Sequence, residues 1–415
     1  MKLNKALKLR LYPDSSQQIL INKTLGSTRF LYNQMLAERI KVYEELKDNK
    51  RALYEHNYKT EKEYKEEFEW LKEVDSISLQ QSRIDLSVAY QNFFKSLKKQ
   101  RKGDQIGFPK FHKKGQKDSY RTCSTSNNIK IDFENQKVKL PKIGWIKFRD
   151  KRNSFPGVIK SATVSRSKTG KYFVSLLFEY EKEIKTFNIE QSLERGLFVK
   201  GLDMSLDKFY VDDMGNSPKY QRLFRKYENR LAYLQRKVSK KKLGSNNRKK
   251  AQLRVNKLYE KIANSRKDFV EKLSTKLLQE NDVIVIESLN LKGMSQALKL
   301  GKSVMDLGYG MFVNRLDQKA LEKEKIIIRA DKWFASSKTC STCGYINKDL
   351  KLSDREWTCP KCQTHHLRDE NAGQNLRDYG MNLILTGLGQ PEEPVEMSEL
   401  SESMKQEADW FLANQ

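Results

Sequence analysis

The sequence predicts a multidomain protein of mixed α+β and α/β structure, in which a β-rich region with a helical insertion precedes an α/β domain. Its 415 residues are enough for two to four domains with cores of their own. The spacing of apolar residues is helical over about residues 15–99, alternates over about 107–180, and then switches between strands and helices. Four cysteines near the carboxyl end add a small metal-binding module.

The amino-terminal half combines one early strand with a helical segment. Residues 3–12 alternate apolar and polar side chains, which predicts a strand. Helical spacing follows from Ser15 and again over about 79–99. Short strands are predicted at 128–133, 137–140, 144–148, 161–165 and 172–178. We expect the first strand to join this later sheet, which makes residues 14–103 a helical insertion in a β-barrel.

The carboxyl-terminal half alternates strands with helices, a pattern typical of an α/β domain with a mixed sheet. The predicted parts in chain order are a linker at 181–195, a strand pair at 197–211, helices at 221–241 and 247–279, a buried strand at 282–289, a helix at 312–324 and a strand at 326–330. The tail from Pro391 is acidic and poor in apolar residues, so we expect it to be disordered.

The charge balance points to a polyanionic partner. The chain has 80 Lys+Arg against 53 Asp+Glu, a net charge of +27, and a pI near 9.6. A basic membrane-surface protein is the alternative, but no stretch is cleanly amphipathic and no apolar run approaches the ~18 residues of a membrane span. We expect no signal peptide. Only Cys123 lies outside the metal-binding pattern, which favours the cytoplasm.

The cysteine spacing is the most specific motif in the chain. Two C-x-x-C pairs stand fifteen residues apart, as in structural zinc sites. The expected ligands are Cys340, Cys343, Cys359 and Cys362. Gly344 and Pro360 favour tight turns on which four thiolates can converge tetrahedrally. A redox or catalytic role is the rarer alternative. Because four cysteines complete the set, His365 and His366 are expected to be polar neighbours only.

Three acids stand out by their positions. Asp203 follows an apolar strand, Glu287 closes the apolar run 283–286, and Asp369 opens a helix. Carboxylates at the strand ends of an α/β sheet lie where ligands usually bind. Three of them converging make a hard oxygen site for Mg²⁺ or Mn²⁺, as in two-metal nucleases. The alternative is that these acids only solvate the surface or favour a helix N-terminus.

The sequence blocks around these residues resemble a known family. GLDMSLDKF, VIVIESLNLKGM, and the segment from SSKTCSTCGYINKDLKLSDREWTCPKC to HHLRDENAGQNL resemble the three RuvC motifs and the zinc ribbon of TnpB. That family consists of transposon-encoded, RNA-guided DNA endonucleases ancestral to type V CRISPR effectors. The amino half matches in LRLYPDSSQQ, FLYNQML, GFPKFHKK, DSYRT and LPKIGWIKF. The resemblance covers the chain up to about Gly380.

The resemblance implies a domain plan and a set of roles. The implied parts are a wedge β-barrel (1–13 and 104–182), a helical recognition lobe (14–103), a RuvC-like nuclease domain of RNase H fold (183–335 and 364–389) and a zinc ribbon (336–363). The acidic tail (390–415), expected from its composition, follows them. The resemblance also implies that Asp203, Glu287 and Asp369 hold catalytic Mg²⁺ or Mn²⁺ and that the four cysteines hold Zn²⁺. The implied partners are a guide RNA from the protein's own element and double-stranded target DNA with a flanking motif, bound by a monomer.

Two departures from the family pattern bear on catalysis. Leu367 stands where the family usually has an acid, and Ser205 replaces a common glycine. Neither removes a metal ligand, but Leu367 could weaken the orientation of the site.

The basic stretch from Arg236 to Lys267 predicts a track for phosphates, which the resemblance places against the guide–target duplex. A solvated helical face is the alternative. Gln80 matches a position of the family that reads the flanking motif, and a glutamine can contact adenine; Tyr54 is a second candidate from the neighbouring segment. The alternative is that both are ordinary surface residues. Arg355, inside the ribbon, is a candidate for contact with the scissile phosphate. The candidate nucleic-acid contacts are Tyr54, Gln80, Lys110, Lys237, Lys240, Lys241, Arg248, Lys249, Arg266 and Arg355.

Three functions are compatible with these motifs. The first is an RNA-guided, Mg²⁺-dependent DNA endonuclease, favoured by the three acids. The second is a guide-directed repressor without useful catalysis, for which Leu367 is the only feature. The third is a strand-transferring transposase or its accessory protein, which needs carboxylates but no guide RNA.

Overall fold

The structure is a computed structural model that describes residues 2–101, 103, 105–116, 118–183, 189–290, 293, 301, 306–351 and 353–386. The chain divides into two compact units, Met1–Glu183 and Ile184–Gln415. The predicted acidic tail at 390–415 lies outside the described residues. Among the described residues, no helix is long and apolar enough to cross a membrane.

A seven-stranded antiparallel sheet forms the β part of the first unit. Its strands are β1 (Lys2–Tyr12), β2 (Ser119–Cys123), β3 (Lys130–Asp132), β4 (Lys137–Leu140), β5 (Gly144–Phe148), β6 (Val158–Arg166) and β7 (Tyr172–Glu181). The order is β2-β6-β7-β1-β5-β4-β3. The predicted joining of the first strand to the later sheet is confirmed, since β1 pairs with β7 and β5. Strands β2 and β3 are the two edges of the sheet in this order. The predicted closure into a barrel therefore stays a prediction. Sequence reasoning missed β2 as a strand.

The pleat of β1 explains its place at the centre of this sheet. Leu7, Leu9 and Leu11 are at most 2% exposed, while the residues between them are exposed. Alternating side chains of a strand lie on opposite faces. These leucines therefore pack into one apolar core with inward residues of the other strands, among them Ile146 and Val174.

Helices lie between β1 and β2 in the chain. They are α1 (Ser15–Leu46), α2 (Lys50–Glu55), α3 (Glu61–Glu67), a 3₁₀ turn (Glu69–Glu73) and α4 (Ser76–Leu97). Asp14 caps α1 through a hydrogen bond from the Gln17 N–H. Asp75 caps α4 and also accepts a 2.6 Å hydrogen bond from Thr122 on β2. The cap of α4 thus ties the helices to the sheet.

The second unit is built on a four-stranded mixed sheet. Its strands are β8 (Val199–Ser205), β9 (Phe209–Asp212), β10 (Val283–Glu287) and β11 (Ile326–Ala330), in the order β11-β10-β8-β9. Strands β8, β10 and β11 are parallel, and β9 is antiparallel to β8. Residues 283–286 are at most 1% exposed, as in a parallel strand covered on both faces. The predicted mixed α/β sheet is confirmed.

Helices accompany this sheet. They are α5 (Ile189–Glu194), α6 (Leu223–Ser239), α7 (Asn246–Glu280), α8 (Tyr309–Lys323) and α9 (Arg368–Leu385). Helix α5 falls in the predicted linker. Three glycines let α9 approach the sheet closely. A Cβ on Gly201 would lie 2.0 Å from the carbonyl oxygen of Gly373, and one on Gly380 would lie 2.3 Å from Val285. Any side chain at these positions would push α9 away from β8 and β10.

The cysteine module precedes α9. It contains an isolated bridge between Thr339 and Ile346 and a hairpin of β12 (Glu356–Thr358) and β13 (His365–Leu367). Its small core consists of Leu350, Trp357 and the cysteines. So few apolar residues cannot stabilise a module by themselves, which is the usual reason for a structural metal.

Candidate active site and metal centre

The sheet register brings two of the predicted acids together. Leu202 pairs with Ile286 across the parallel strands β8 and β10. Asp203 and Glu287 each follow by one residue, so both carboxylates leave the same end and the same face of strands spaced ~4.8 Å apart. Asp203 lies within β8, where the sequence had placed it just after the strand. Glu287 is the last residue of β10.

Helix α9 brings the third acid to the same place. Asp369 is the second residue of α9, and Gly373 follows one helical turn later on the same face. Gly373 contacts Gly201, which lies two residues before Asp203 and therefore on the same face of β8. The close glycine contact thus sets the first turn of α9 above the carboxyl end of β8.

The electrostatics show that these carboxylates interact. Burial, followed by the charges of Glu287 and Asp369, raises the pKa of Asp203 well above its ordinary value. Burial also raises the pKa of Glu287, against a hydrogen bond from Ser336 and the charge of Arg368. Carboxylates that repel one another in a partly buried site are stabilised by a bound cation, which takes the place of the proton held by the group with the raised pKa.

The donor set fits a hard divalent cation. Carboxylate oxygens are the ligands that Mg²⁺ and Mn²⁺ prefer. Among the described acids, histidines and cysteines, the four cysteines are the only group of three or more whose donor atoms all lie within 4.8 Å of one another. The carboxylate oxygens of the three acids are therefore more widely spaced than the four sulfurs.

A cavity of about 580 Å³ adjoins Glu287, and Arg329 and Lys332 also line it. Arg355 lies 3.9 Å from Asp369.

The four thiols are arranged for a tetrahedral metal. The Sγ atoms of Cys340 and Cys362 are 3.6 Å apart, and those of Cys343 and Cys359 are 3.7 Å apart. A tetrahedron with Zn–S bonds of ~2.3 Å has edges of about 3.8 Å. The geometry therefore fits one zinc ion.

The pKa values of the thiols reflect how closely the four sulfurs are packed. A hydrogen bond with the Thr364 hydroxyl, 3.2 Å from Sγ, lowers the pKa of Cys362 to about 6. The pKa of Cys343 is raised to about 12, since burial and the other three sulfurs outweigh a backbone hydrogen bond with Tyr345. Four thiolates cannot crowd together without a cation, and a metal displaces their protons.

The two histidines differ in a way that the sequence did not indicate. His365 is exposed. His366 is 6% exposed, with Nε2 3.0 Å from the sulfur of Cys340 and its ring 5.0 Å from that of Trp357. The described metal-binding group contains the four cysteines and neither histidine, in keeping with the predicted role of polar neighbours, but of the two only His366 is buried. It is a buried partner of a thiol, of the kind that orients metal ligands.

Buried amides tie the cysteine module to α9. Asn371 donates to the carbonyl of Thr339 at 2.7 Å and accepts from the N–H of Ser341 at 3.0 Å. Asn375 donates to the carbonyls of Thr339 and Ser336 at 2.6 and 2.7 Å. Ser336 in turn donates to Glu287 at 2.8 Å.

This network links the module, α9 and Glu287 into one unit, and sequence reasoning did not single it out. The signal was present: Asn371 and Asn375 are spaced i, i+4 and so share one face of the helix.

The predicted nucleic-acid contacts in the first unit lie at its surface. Tyr54 is 91% exposed on α2. Gln80 is half-buried on α4, and Lys110 is exposed in the loop that follows. Their role stays a prediction.

Two arginines of the predicted phosphate track have partners inside the second unit. Arg266 is 19% exposed and pairs with Asp306, which also accepts from the first N–H groups of α6. Arg248 donates at 2.8 and 3.0 Å to the carbonyls of Val238 and Lys241 at the end of α6. Both guanidiniums therefore have partners within the fold, and their contact with nucleic acid stays a prediction. Other predicted contacts remain exposed: Lys237, Lys240, Lys241, Lys249 and Arg355.

Known families match three parts of the chain. Residues 175–298 match OrfB_IS605, described as "Probable transposase". Residues 309–376 match the Cas12f1-like TNB domain. Residues 1–48 match a profile described as a helix-turn-helix domain, although the structure there has strand β1 and the single long helix α1.

Relatives extend over nearly the whole chain. "Putative RNA-guided DNA endonuclease InsQ" of Escherichia coli K12 is 30% identical over 96% of this chain and 99% of its own. A "Putative RNA-guided DNA endonuclease" of Streptomyces pristinaespiralis is 32% identical over 94% of this chain and 92% of its own. Cas12f1, solved by cryo-EM with sgRNA and target DNA, superposes with a TM-score of 0.53 at 14% identity, covering 91% of this chain and 99% of that one. That last likeness concerns the fold alone. Profile matches and full-length relatives agree, and the chain belongs to the TnpB family.

Proposed function

We propose that this protein is an RNA-guided, Mg²⁺-dependent DNA endonuclease. It binds a guide RNA from its own element, recognises a short motif beside the target, opens the duplex and cuts both strands with one RuvC-like site. The observation that carries the proposal is the convergence of Asp203, Glu287 and Asp369 from two parallel strands and one helix. The names of its relatives support the same activity.

In this proposal the three carboxylates hold the catalytic cations. Mg²⁺ held there would supply activation of the attacking water and stabilisation of the leaving 3′ oxygen. Ser336 orients Glu287 through its 2.8 Å hydrogen bond. Arg355, which lies 3.9 Å from Asp369 and is 66% exposed, can reach a phosphate on the solvent side of the site.

The zinc-binding module supports the site rather than catalysing the reaction. Its four thiolates hold Zn²⁺ structurally, and the amides of Asn371 and Asn375 transmit the position of the module to α9. Because Asp369 lies in the first turn of α9, an ordered module favours the productive position of Asp369.

The remaining roles follow the domain plan of the family, from the wedge barrel to the zinc ribbon. The exposed lysines of α6 and α7 hold the backbone of the guide–target duplex, because phosphate neutralisation needs charge and no base contacts. Gln80 and Tyr54 read the flanking motif. The protein acts as a monomer with its RNA, in the cytoplasm and at the nucleoid.

One observation favours a second function, that of a guide-directed repressor. Leu367 is the N-cap residue of α9, is 54% exposed and accepts no capping hydrogen bond. The helix that carries Asp369 therefore starts without the side-chain cap that an acid would give it. A third function, as a transposase or its accessory, has the profile description in its favour.

The test is to purify the protein from cells that carry its flanking DNA, sequence the bound RNA, and add Mg²⁺ with a guide-matched plasmid library randomised beside the target. One copurifying RNA and motif-dependent cuts support the nuclease. RNA with motif-dependent binding but no cuts supports the repressor. DNA strand transfer that survives RNase treatment supports the transposase.

A further inference from the structure

A loop in the first unit is fixed to α1 by two neighbouring residues. The side chain of Asn33 accepts from the backbone N–H of His112 at 2.8 Å and donates to its carbonyl at 3.0 Å. The ring of His112 stacks on Tyr32, with centroids 3.9 Å apart and planes within 6°. The loop around His112 has no regular secondary structure, so these contacts hold it in place.

The fixed loop borders a cavity of about 430 Å³. Its lining includes Tyr32, Asn92, Pro109, Lys110, Phe111 and His112. It therefore combines flat aromatic faces, an amide and an ammonium group. Phe111 is 48% exposed although it is a large apolar side chain. The packing of the first unit does not explain that exposure.

The charged residues of the described loop at 105–116 are all basic. Residues 95–117 include nine Lys or Arg and a single acid, Asp104. Lys110, Lys113 and Lys114 are exposed in the loop itself. An apolar ligand or a neutral protein surface would not need such charge. Exposed aromatic rings within a basic groove are the arrangement by which proteins hold single-stranded nucleic acid, with bases stacked and phosphates neutralised.

We propose that this cavity binds an unstacked nucleobase of single-stranded nucleic acid. The base stacks against Phe111 and the loop, and Lys110 and Lys113 contact the flanking phosphates. A paired duplex cannot enter, because its bases are stacked on each other. This inference rests on the proposed function only for the source of the strand, which is either the guide RNA or the opened target DNA.

The experiment measures binding of fluorescent uridine and thymidine hexamers to the full-length protein freed of its RNA. Phe111→Ala should weaken binding roughly 5- to 150-fold, the range for losing one base–aromatic stack. Phe111→Tyr should restore it, and Phe111→Leu should not. The matched control is Tyr43→Ala, which removes a 53% exposed ring elsewhere on α1.

The outcomes distinguish base stacking from attraction by charge alone and from apolar contact alone. Equal binding by Phe111→Ala and Tyr43→Ala, or full binding by Phe111→Leu, would overturn the proposal. Binding of an acidic peptide in place of both hexamers would also overturn it. If the guide RNA fills the cavity, protein purified with its RNA no longer binds the hexamers; if target DNA does, it still binds them. The hexamer assay needs no cleavage, so a protein that binds hexamers but cuts no plasmid leaves this inference intact.

Discussion

The cysteine site and the carboxylate site differ in how they are assembled. The cysteines lie within 23 consecutive residues, and their sulfurs are already at tetrahedral spacing. The carboxylates come from positions 84 and 82 residues apart in the chain and depend on sheet register and helix packing. A local site can be completed by one tightly bound metal. A tertiary site of repelling acids depends instead on the packing of the elements that carry them.

Loss of a zinc ligand should have the largest effect. Cys359→Ser removes a fully buried thiol, and the metal in such sites supplies apparent binding free energies of ~10–16 kcal/mol. We expect loss of zinc and rapid proteolysis between about residues 336 and 367. Cys123→Ser, outside the site, should keep one zinc per chain. A zinc-free variant with the protease resistance of the wild type would contradict the structural role.

Loss of a carboxylate should leave the fold intact and remove activity. Glu287→Gln should slow single-turnover cleavage at least about a thousandfold, since a catalytic metal contributes several kcal/mol. Asp268→Asn is the control, because Asp268 is an exposed acid paired with Lys272 on α7. Similar rates for the two variants would remove Glu287 from the site.

The link between the two sites should be measurable by itself. Asn371→Ala leaves the Thr339 carbonyl and the Ser341 N–H without their partner. We expect a loss of about 1–3 kcal/mol in the free energy of unfolding, a higher Mg²⁺ requirement for cleavage, and normal zinc content. Asn382→Ala, exposed on the same helix, should change none of these. If Asn371→Ala needs no more Mg²⁺ than the wild type, the cysteine module does not influence the carboxylate site.

The raised pKa of Asp203 predicts the sign of a pH effect. When no metal is bound at the carboxylates, the carboxyl group of Asp203 keeps its proton up to a higher pH in the folded protein than in the unfolded chain. The free energy of unfolding should therefore fall as pH rises above the ordinary value of 3.8 and through the raised pKa. Asp203→Asn should flatten this slope and stabilise the Mg²⁺-free protein near neutral pH. Denaturant titrations at several pH values measure it, and an equally steep slope in the variant would refute the assignment.

The smallest expected effect concerns the start of α9. Leu367→Asp supplies the missing cap and should stabilise the protein by about 1 kcal/mol. Chemical denaturation measures this, with Leu385→Asp at the other end of α9 as the control. A higher cleavage rate of Leu367→Asp would show that the uncapped helix limits the rate of the wild type. No gain in stability would mean that β13 already fixes this end.

Local patterns predicted most of the elements and the zinc ligands. Strands β4, β5 and β11 and the two long helices α6 and α7 follow from periodicity, because their apolar faces pack in the way that the pattern implies. The convergence of the acids followed only from placement at strand ends and from resemblance. The roles of Gly201, Gly373 and His366 could not be predicted, since each depends on a contact between segments distant in sequence.

The most direct test of the account is guide-programmed plasmid cleavage by wild type and Asp203→Ala, each purified with its RNA and one zinc per chain. We predict that wild type cuts the matched plasmid only with Mg²⁺. Asp203→Ala should bind RNA and target equally well without cutting. Cleavage by Asp203→Ala at the wild-type rate, or cleavage by wild type without divalent cations, would contradict the assignment of the carboxylates as the catalytic metal site.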